Sequence, residues 1–298
     1  MIQIFSTRTD KPHAYRFGEY QNQLAFNPVE IAISNDLKSW KSSFDIADLS
    51  NIYLTDFDWL ASVKGDTYTT LGARNGAVLT NKRYEQRDMV LLFYCYLRDE
   101  NDQKLALQAL SEYLAQKDPY WITFGNAGYH AYQVQYKAMQ PTYIGERYMT
   151  IQVTLNNLTG VSQSIVSTQN INDNTAYGLG LNGLSAMNYT FTDSSFVVYN
   201  AGDLPVDPVI QDDYLLITIK GNGKFSLTNN DTGDNFTYNN NLSGNDTLTL
   251  NNVNPFLNGS NCGLNTNNGI IRLKQGDNHF SMSGGNSISF DFYFKYLN

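Results

Sequence analysis

Charge, cysteine and long apolar segments are all scarce in this chain of 298 residues. Charged residues make up 16% of it, against roughly 25% in an ordinary soluble protein, and the formal net charge is −8. This acidic balance disfavours a nucleic-acid-binding function. The two cysteines, Cys95 and Cys262, are too far apart in sequence to indicate a disulfide framework or a metal cluster, so we expect two free thiols.

Signals for membranes and secretion are also missing. The most apolar segment, 89–97, is much shorter than the about 20 residues that a membrane-spanning helix needs. The first residues show no basic region followed by an apolar one, which is the pattern of a secretory signal. We therefore expect no membrane partner and no secretory signal.

Motifs for catalysis, metals and cofactors are absent as well. The three histidines, His13, His130 and His279, have no cysteine or histidine neighbour at metal-ligand spacing. Segment 230–235 has oxygen donors but not the spacing of a calcium loop. There is no nucleophile elbow, and the glycine-rich segments lack the strand–helix context of a nucleotide loop. We expect no catalytic residue, no metal and no cofactor, and hence no enzyme.

What the chain does contain favours β-structure. Aromatic residues make up 13%, and Asn, Thr, Ser and Gln supply most of the polarity, a mixture that suits strands and turns. All six glutamates precede residue 165, and Arg272 is the only arginine after it. A composition break of this kind indicates a domain boundary. The sequence predicts an N-terminal domain over 1–165, a linker over 166–186 and a C-terminal domain over 187–298.

The first domain combines strands with one helix. Segment 89–97 is apolar at both odd and even positions, so it predicts a strand that is covered on both faces. Acidic residues at 99–102 precede apolar residues at helical spacing, which predicts a helix over about 102–116. Between the strand signals on either side, residues 64–86 combine turn-forming residues with Lys82 and Arg83, and Arg87 follows directly. They predict a polar arm that is either solvated or in contact with another subunit.

The second domain shows only strands and turns. Short strands are separated by turn signals at 221–223, 231–233, 275–277 and 284–286, each of which suggests a hairpin. The last strand places Ile288, Phe290 and Phe292 on one face. Short strands with tight turns and no helix predict a β-sandwich or jelly roll. The fold class is therefore mainly β, with one helix in the N-terminal domain.

An ordered series of motifs resembles the distal tail protein family of long-tailed phages that infect Gram-positive bacteria. The series runs through Gly72-Ala-Arg-Asn-Gly76, Lys82-Arg-Tyr84, Arg87 to Phe93, the helix, Asp118-Pro-Tyr-Trp121 and Tyr148 to Thr154. The second domain resembles that family's C-terminal galectin-like sandwich through segments 199–202, 234–238, 244–250 and 273–278 and the final Phe/Tyr strand. The resemblance covers about residues 50–298.

The resemblance implies a structural protein of the virion. Members of the family form a homo-hexamer at the distal end of the tail, the hub of the tail tip or baseplate, and they are assembled in the bacterial host cytoplasm. The N-terminal β-sandwich-like domain forms the ring, and a belt from each subunit holds the next. The ring contacts the tail tube protein and the tail-associated tip protein, and the outer sandwich can hold a receptor-binding protein. DNA passes through the channel without specific binding.

Six residues in this segment and directly after it are the predicted subunit interface. The belt implied by the resemblance corresponds to residues 64–86, and a neighbour would bury the apolar residues and pair with the basic ones. The predicted interface residues are Arg74, Val78, Leu79, Arg83, Tyr84 and Arg87.

Two other functions stay open at this point. A carbohydrate-binding sandwich could hold host-surface glycans by stacking on tyrosine, although Trp40, Trp59 and Trp121 all precede the second domain. A cell-wall hydrolase is the other alternative, since any two carboxylates can meet in a fold.

Overall fold

The computed structural model describes residues 2–12, 24, 26–57, 61–73, 75–181, 187–211 and 213–297. The chain forms two compact units, Met1–Ser162 and Gln163–Leu297. Both consist mainly of antiparallel strands, so the fold is mainly β as expected.

The first unit contains eleven strands among its described residues, and one α-helix. They are β1 (Ile31–Ser34), β2 (Lys41–Ser42), β3 (Ile52–Phe57), β4 (Val63–Lys64), β5 (Thr67–Thr69), β6 (Val78–Asn81), β7 (Tyr84–Glu85), β8 (Arg87–Tyr96), α1 (Glu100–Leu114), β9 (Tyr120–Phe124), β10 (His130–Tyr143) and β11 (Tyr148–Asn157). Short 3-10 helices occupy Ser43–Asp45 and Ala47–Leu49.

Seven of these strands form one sheet in the order β2-β1-β9-β10-β11-β8-β3. The amide of Val29, just before β1, donates to the carbonyl of Leu54 in β3 at 2.9 Å. This bridge joins the last strand of the sheet to the chain that enters β1. The sheet therefore curves back on itself around a core of aliphatic and aromatic side chains, which includes Leu91, Phe124 and Ile151.

Helix α1 packs on this core through Leu110, Tyr113 and Leu114, which are buried. It begins two residues earlier than predicted, because the Asp99 carboxylate accepts hydrogen bonds from the amides of Asn101 and Asp102, and it also ends two residues earlier, at Leu114. Those two bonds satisfy amides that a helix start leaves without partners.

Strand β8 is covered on one face, not on both as predicted. Met89, Leu91 and Phe93 are buried, but Leu92 is 43% exposed and Tyr96 is 47% exposed. Apolar residues on both sides of a strand are therefore not a sufficient sign of burial here.

The second unit has ten strands among its described residues. They are β12 (Ser162–Ser164), β13 (Thr190–Phe191), β14 (Ser195–Asn200), β15 (Leu215–Asn229), β16 (Asn235–Leu242), β17 (Thr247–Asn251), β18 (Asn254–Leu257), β19 (Ser260–Asn261), β20 (Gly276–Phe292) and β21 (Lys295–Tyr296). A second α-helix, α2, covers Asp173–Gly178, and 3-10 helices cover Thr168–Asn170 and Gly263–Asn265.

Two long strands, β15 and β20, give this unit two layers. They pair over 215–221 with 285–292 and again over 226–229 with 280–283, with a break in register between the two stretches. The first stretch continues sideways into β13 and β17, and the second into β14 and β16. One sheet thus folds over at the break and encloses a core rich in phenylalanine.

Glycines make this fold-over possible. A Cβ on Gly221 would lie 2.2 Å from the carbonyl oxygen of Gly284, and one on Gly284 would lie 2.0 Å from that of Lys224. The segments 221–223 and 284–286 were expected to be hairpin turns, and that expectation is wrong because the strands continue through them. The expected hairpin at 231–233 does join β15 to β16.

Residues 166–181 are packed structure, not a linker. Thr168 Oγ1 donates to the carbonyl of Phe290 at 3.0 Å, and the Gln169 side chain donates to the same carbonyl at 2.9 Å. The amide of Ser164 donates to the carbonyl of Phe294. The compact unit therefore begins at Gln163, and the rest of the predicted linker, 182–186, lies outside the described residues.

Candidate interaction site: the arm of the first unit

The segment between β3 and β8 forms a two-stranded arm, which we define as residues 63–85. β4 pairs with β7, and β5 pairs with β6, so that two short ladders follow one another along the arm. In the described part of the arm no residue is buried. The predicted belt over about 64–86 thus corresponds to an element that has a defined secondary structure but no cover from its own unit.

The arm exposes large apolar side chains on its surface. Tyr68 and Leu79 lie directly opposite each other on β5 and β6, and they are 61% and 36% exposed. Val63 and Leu71 are also exposed. An isolated two-stranded hairpin is at best marginally stable in water. Exposed apolar residues on such an element indicate a surface that a partner covers.

Hydrogen bonds at the root of the arm, by which we mean residues 63–66 and 83–85, hold its two strands together. The Arg83 guanidinium donates to the carbonyl of Gly65 at 3.0 Å and to the Glu85 carboxylate at 3.1 Å. The Arg83 amide donates to the Asp66 carboxylate at 3.3 Å. These groups are exposed, so the ion pair itself adds little stability, but the bonds fix the register of the two strands.

Gly160 brings the loop after β11 against this root. It has a φ of +69°, and a Cβ there would lie 2.1 Å from the backbone oxygen of Glu85. Only glycine allows this approach, because the left-handed φ and the close contact both exclude a side chain. The root is therefore seated on the first unit, while the rest of the arm is exposed.

The six predicted interface residues fall into different environments. Leu79 is exposed, and Val78 and Tyr84 are half-buried. Arg83 forms its bonds inside the arm, and Arg74 lies outside the described residues. Arg87 is the first residue of β8 and only 7% exposed. That Arg83 or Arg87 pairs with an acid of a neighbouring subunit stays a prediction, and the burial of Arg87 inside its own unit makes Arg83 the more accessible of the two.

Val63, Tyr68 and Leu71 belong to this exposed surface but are not among the six predicted interface residues. Their signal is present in the sequence as apolar residues within a segment of turn-forming and charged residues. They become recognisable only when the structure shows that the arm has no cover.

The described residues lack two other kinds of site. None of their helices has both the length and the apolar character needed to cross a membrane. Their His, Cys, Asp and Glu side chains form no group of three or more that could bind a metal ion.

Residues 42–157 match the family model of the phage tail protein RIFT-related domain. The match includes the arm and α1, and it covers less than half of the chain. A search of curated proteins finds no match.

Solved structures of phage tail proteins are similar to the chain as a whole. The Dit (gp 19.1) protein of SPP1, described as a paradigm of the hub adsorption apparatus in phages that infect Gram-positive bacteria, aligns with a TM-score of 0.65 and 12% identity. That alignment covers 89% of this chain and 99% of the SPP1 chain. The phage P2 baseplate in its activated conformation with Ca aligns with a TM-score of 0.45 and 5% identity, over 90% and 97%.

The comparison with SPP1 Dit shows the fold of this chain. The expected resemblance to the distal tail protein family is thus confirmed in that fold and in the phage tail domain of residues 42–157.

Proposed function

We propose that this chain, with a phage tail protein RIFT-related domain and the fold of SPP1 Dit, is a distal tail protein that forms a hexameric hub at the tip of a phage tail. The first unit forms the ring, which links the tail tube to the tip protein. The proposed location is the tail tip of the virion, after assembly in the cytoplasm of a bacterial host. The proposal assigns no catalytic chemistry to the chain.

The exposed arm is the observation that carries this proposal. Its apolar side chains, Tyr68 and Leu79 above all, have no cover within their own unit. A contact between the arm of one copy and a different surface of the next is a head-to-tail contact, and such contacts form rings when the rotation closes. A ring of identical copies would therefore cover every arm.

The remaining partners follow from the same proposal. The second unit is the platform that can hold a receptor-binding protein. The ring channel lets DNA pass without retaining it, and the net charge of −8 supports this, because retention by counterion release needs clustered Lys and Arg.

The test is the mass of the full chain in solution. The native chain should form a closed ring with six copies. Replacing both Tyr68 and Leu79 with Asp should yield monomers, because the pair lies at the centre of the uncovered apolar surface. Leu264→Asp in the second unit is the control, since Leu264 is a fully exposed leucine outside the arm. A double variant that still forms the native ring would contradict the proposal.

One surface of the second unit favours carbohydrate binding as a second candidate. Tyr199 and Val197 are exposed on β14, and Val197 is paired with His279 of β20. The Asp231 carboxylate accepts hydrogen bonds from the amide and Nδ1 of His279 and from Lys274, and these bonds lower its pKa. A tyrosine ring beside fixed polar groups can stack on a sugar.

A glycan array probed with the native chain and with Tyr199→Ala tests this candidate. Binding that the substitution removes would support it. Equal signals from both proteins, or no signal, would reject this surface as a glycan site.

A further inference from the structure

An open strand edge lies at one side of the second unit. The layer that contains the second paired stretch of β15 and β20 has the strand order β14-β20-β15-β16. At one side β16 is covered, because Tyr238 bridges to Thr266 and the Asn267 side chain bonds to the backbone of the strand. At the other side β14 pairs with β20 alone. Within the described ranges, β14 is therefore the uncovered edge of this layer.

The pairing of β14 with β20 determines which of its backbone groups point outwards. The amide of Met282 in β20 donates to the carbonyl of Ser194 at 2.7 Å, and the register continues without a shift to the end of β14. In an antiparallel pair, alternate residues exchange hydrogen bonds with the partner strand. The even-numbered residues of β14 therefore bond to β20, whereas Ser195, Val197 and Tyr199 direct their amides and carbonyls away from it.

These outward groups form a row that is almost free. The Tyr199 carbonyl accepts a hydrogen bond from the Tyr189 hydroxyl at 2.9 Å. The amides of Ser195, Val197 and Tyr199 and the carbonyls of Ser195 and Val197 bond to no residue in the part of the chain that the structure describes. Successive outward residues of a strand are roughly 7 Å apart. A row with this spacing is a template for the backbone of one further strand.

None of the usual protections of an edge strand is present on β14. Folded proteins protect such edges with lysine, proline, a bulge or a very short strand. β14 has six residues, without a charged residue, a proline or a shift in register. The edges of the other layer, β13 and β19, are only two residues long. β14 is thus long and regular enough to pair with an added strand.

Apolar side chains flank this edge on both faces. Val197 and Tyr199 are 40% and 41% exposed on the outer face. On the inner side the half-buried Phe191 ring stacks on Phe196, with 4.5 Å between the ring centroids. Cross-strand pairs of apolar side chains stabilise a sheet, so an added strand with apolar residues at alternate positions would fit here.

Two carboxylates near the ends of β14 carry uncompensated negative charge. Asp193 precedes the strand and Asp277 lies on β20 beside its other end, and both are exposed and form no ion pair with a described residue. Lys274, just before β20, and His279, within it, both bond to Asp231. The local charge therefore favours an occupant with Lys or Arg near its ends.

We propose that the free edge of β14 binds an extended segment of a partner protein, which joins the layer as a further strand. The backbone of the segment bonds to Ser195 and Val197, its apolar side chains pack on Val197 and on the Phe191 ring, and its basic residues face the two carboxylates. This mode of recognition is strand addition. It concerns the second unit alone and goes beyond the proposed function. A glycan would instead stack on Tyr199 and would need no edge amide.

Val197→Pro is the variant that tests this edge, because the Val197 amide takes no part in the pairing with β20. Proline is tolerated on an edge strand where its nitrogen faces solvent, but it removes the donor that an added strand needs. Val197→Thr keeps the amide and the branched shape and is the matched control. The probe is a short fluorescent peptide that alternates valine and threonine and has lysine at each end. Fluorescence polarisation measures its binding to the full chain.

The native chain and Val197→Thr should bind the probe equally. Val197→Pro should bind it roughly tenfold or more weakly, because a hydrogen bond is lost and the ring blocks the approach of the peptide. A probe with glutamate in place of lysine should bind the native chain more weakly, since Asp193 and Asp277 repel it.

Amide hydrogen exchange on the native chain gives a readout that needs no variant. The probe should slow exchange at Ser195 and Val197, whose amides are free, and leave Phe196, whose amide faces β20, unchanged. Protection confined to other parts of the chain would contradict the proposal.

The binding experiment has further outcomes that would overturn the proposal. One is the absence of binding to the native chain at millimolar concentrations of the probe. Another is equal binding by the native chain and by Val197→Pro. Self-association of the native chain that Val197→Pro abolishes and Val197→Thr retains would show that a second copy occupies the edge, and it would reject a different protein as the partner.

Discussion

At the scale of single residues, Gly160 allows the root of the arm to pack closely on the rest of the first unit. Its left-handed φ and its contact with the backbone of Glu85 place the loop after β11 directly against the point where the arm returns to the sheet. Gly76, near the tip of the arm, also has a positive φ, +85°, but has nothing within 4 Å of where a Cβ would lie. A comparison of these two glycines separates the energetic cost of a side chain at a positive φ from the cost of its clash with the backbone of Glu85.

We expect Gly160→Ala to lower the free energy of unfolding by clearly more than Gly76→Ala does. Alanine at a positive φ costs about 1 kcal/mol or more in both variants, but only at position 160 must the backbone of Glu85 also move. Urea denaturation of both variants measures the difference. Equal losses would mean that the contact at the root of the arm adds nothing to stability.

The exposure of a single side chain was harder to predict from the sequence than the alternation of buried and exposed residues along its strand. Arg87 looked like part of a basic arm because Lys82 and Arg83 precede it closely. It lies instead on the buried side of β8, in register with Met89 and Leu91. The alternation along the strand contained this information, but a charge near other charges usually indicates a solvated surface.

At the scale of elements, α1 shows how a cap sets the start of a helix. The Asp99 carboxylate accepts hydrogen bonds from the amides of Asn101 and Asp102, at 2.8 and 3.0 Å. The acidic residues at 99–102 and the apolar spacing together predicted a helix, but they placed its start two residues too late because they did not identify which acid is the cap. The apolar periodicity identifies which face of a helix is buried, whereas hydrogen bonds to the first amides determine the residue at which the helix begins.

Asp99→Ala should lower the free energy of unfolding by about 1 kcal/mol, the usual cost of losing an N-cap. The loss follows because two helix amides then have only water as a partner. Chemical denaturation followed by circular dichroism measures it, and Asp118→Ala, beyond the helix, is the control. A change of similar size in the control would show that the cap is not the cause.

Two glycine-rich segments, 221–223 and 284–286, were predicted wrongly as hairpins. Gly221 and Gly284 suit a hairpin turn and a fold-over of a continuous strand equally well. The choice depends on the pairing of β15 with β20, whose contacting residues are more than fifty positions apart. Local residue preferences carry no information about that pairing, so the turn at 231–233 was predictable and the two bends were not.

At the scale of the whole molecule, the composition break near residue 165 lies close to the boundary of the compact units at Ser162 and Gln163. The polar segment after it was harder to interpret. Ser, Thr and Asn in 166–181 suggest a linker, yet Thr168 and Gln169 use their side chains to bind the carbonyl of Phe290. The polar composition of residues 166–181 therefore suggested a linker, although this segment is a packed part of the second unit.

A fragment that spans 163–297 should fold alone and unfold cooperatively, because it contains the whole set of contacts of its unit. A fragment that begins at 187 lacks the bonds from Thr168 and Gln169, and it should unfold at a clearly lower urea concentration. Tryptophan is absent from both, so circular dichroism is the suitable readout. Equal midpoints would support the linker interpretation instead.

The way in which the arm joins β3 to β8 has a consequence for how such proteins can diverge. The closure entropy of a connecting segment rises only logarithmically, by about 0.6 kcal/mol for each doubling of its length. Insertions or deletions near the tip would thus leave the core of the sheet almost unaffected. In the ring that we propose, a change of a few residues at the tip would therefore adjust the span between neighbouring copies, and with it the ring diameter, without any change in the sheet.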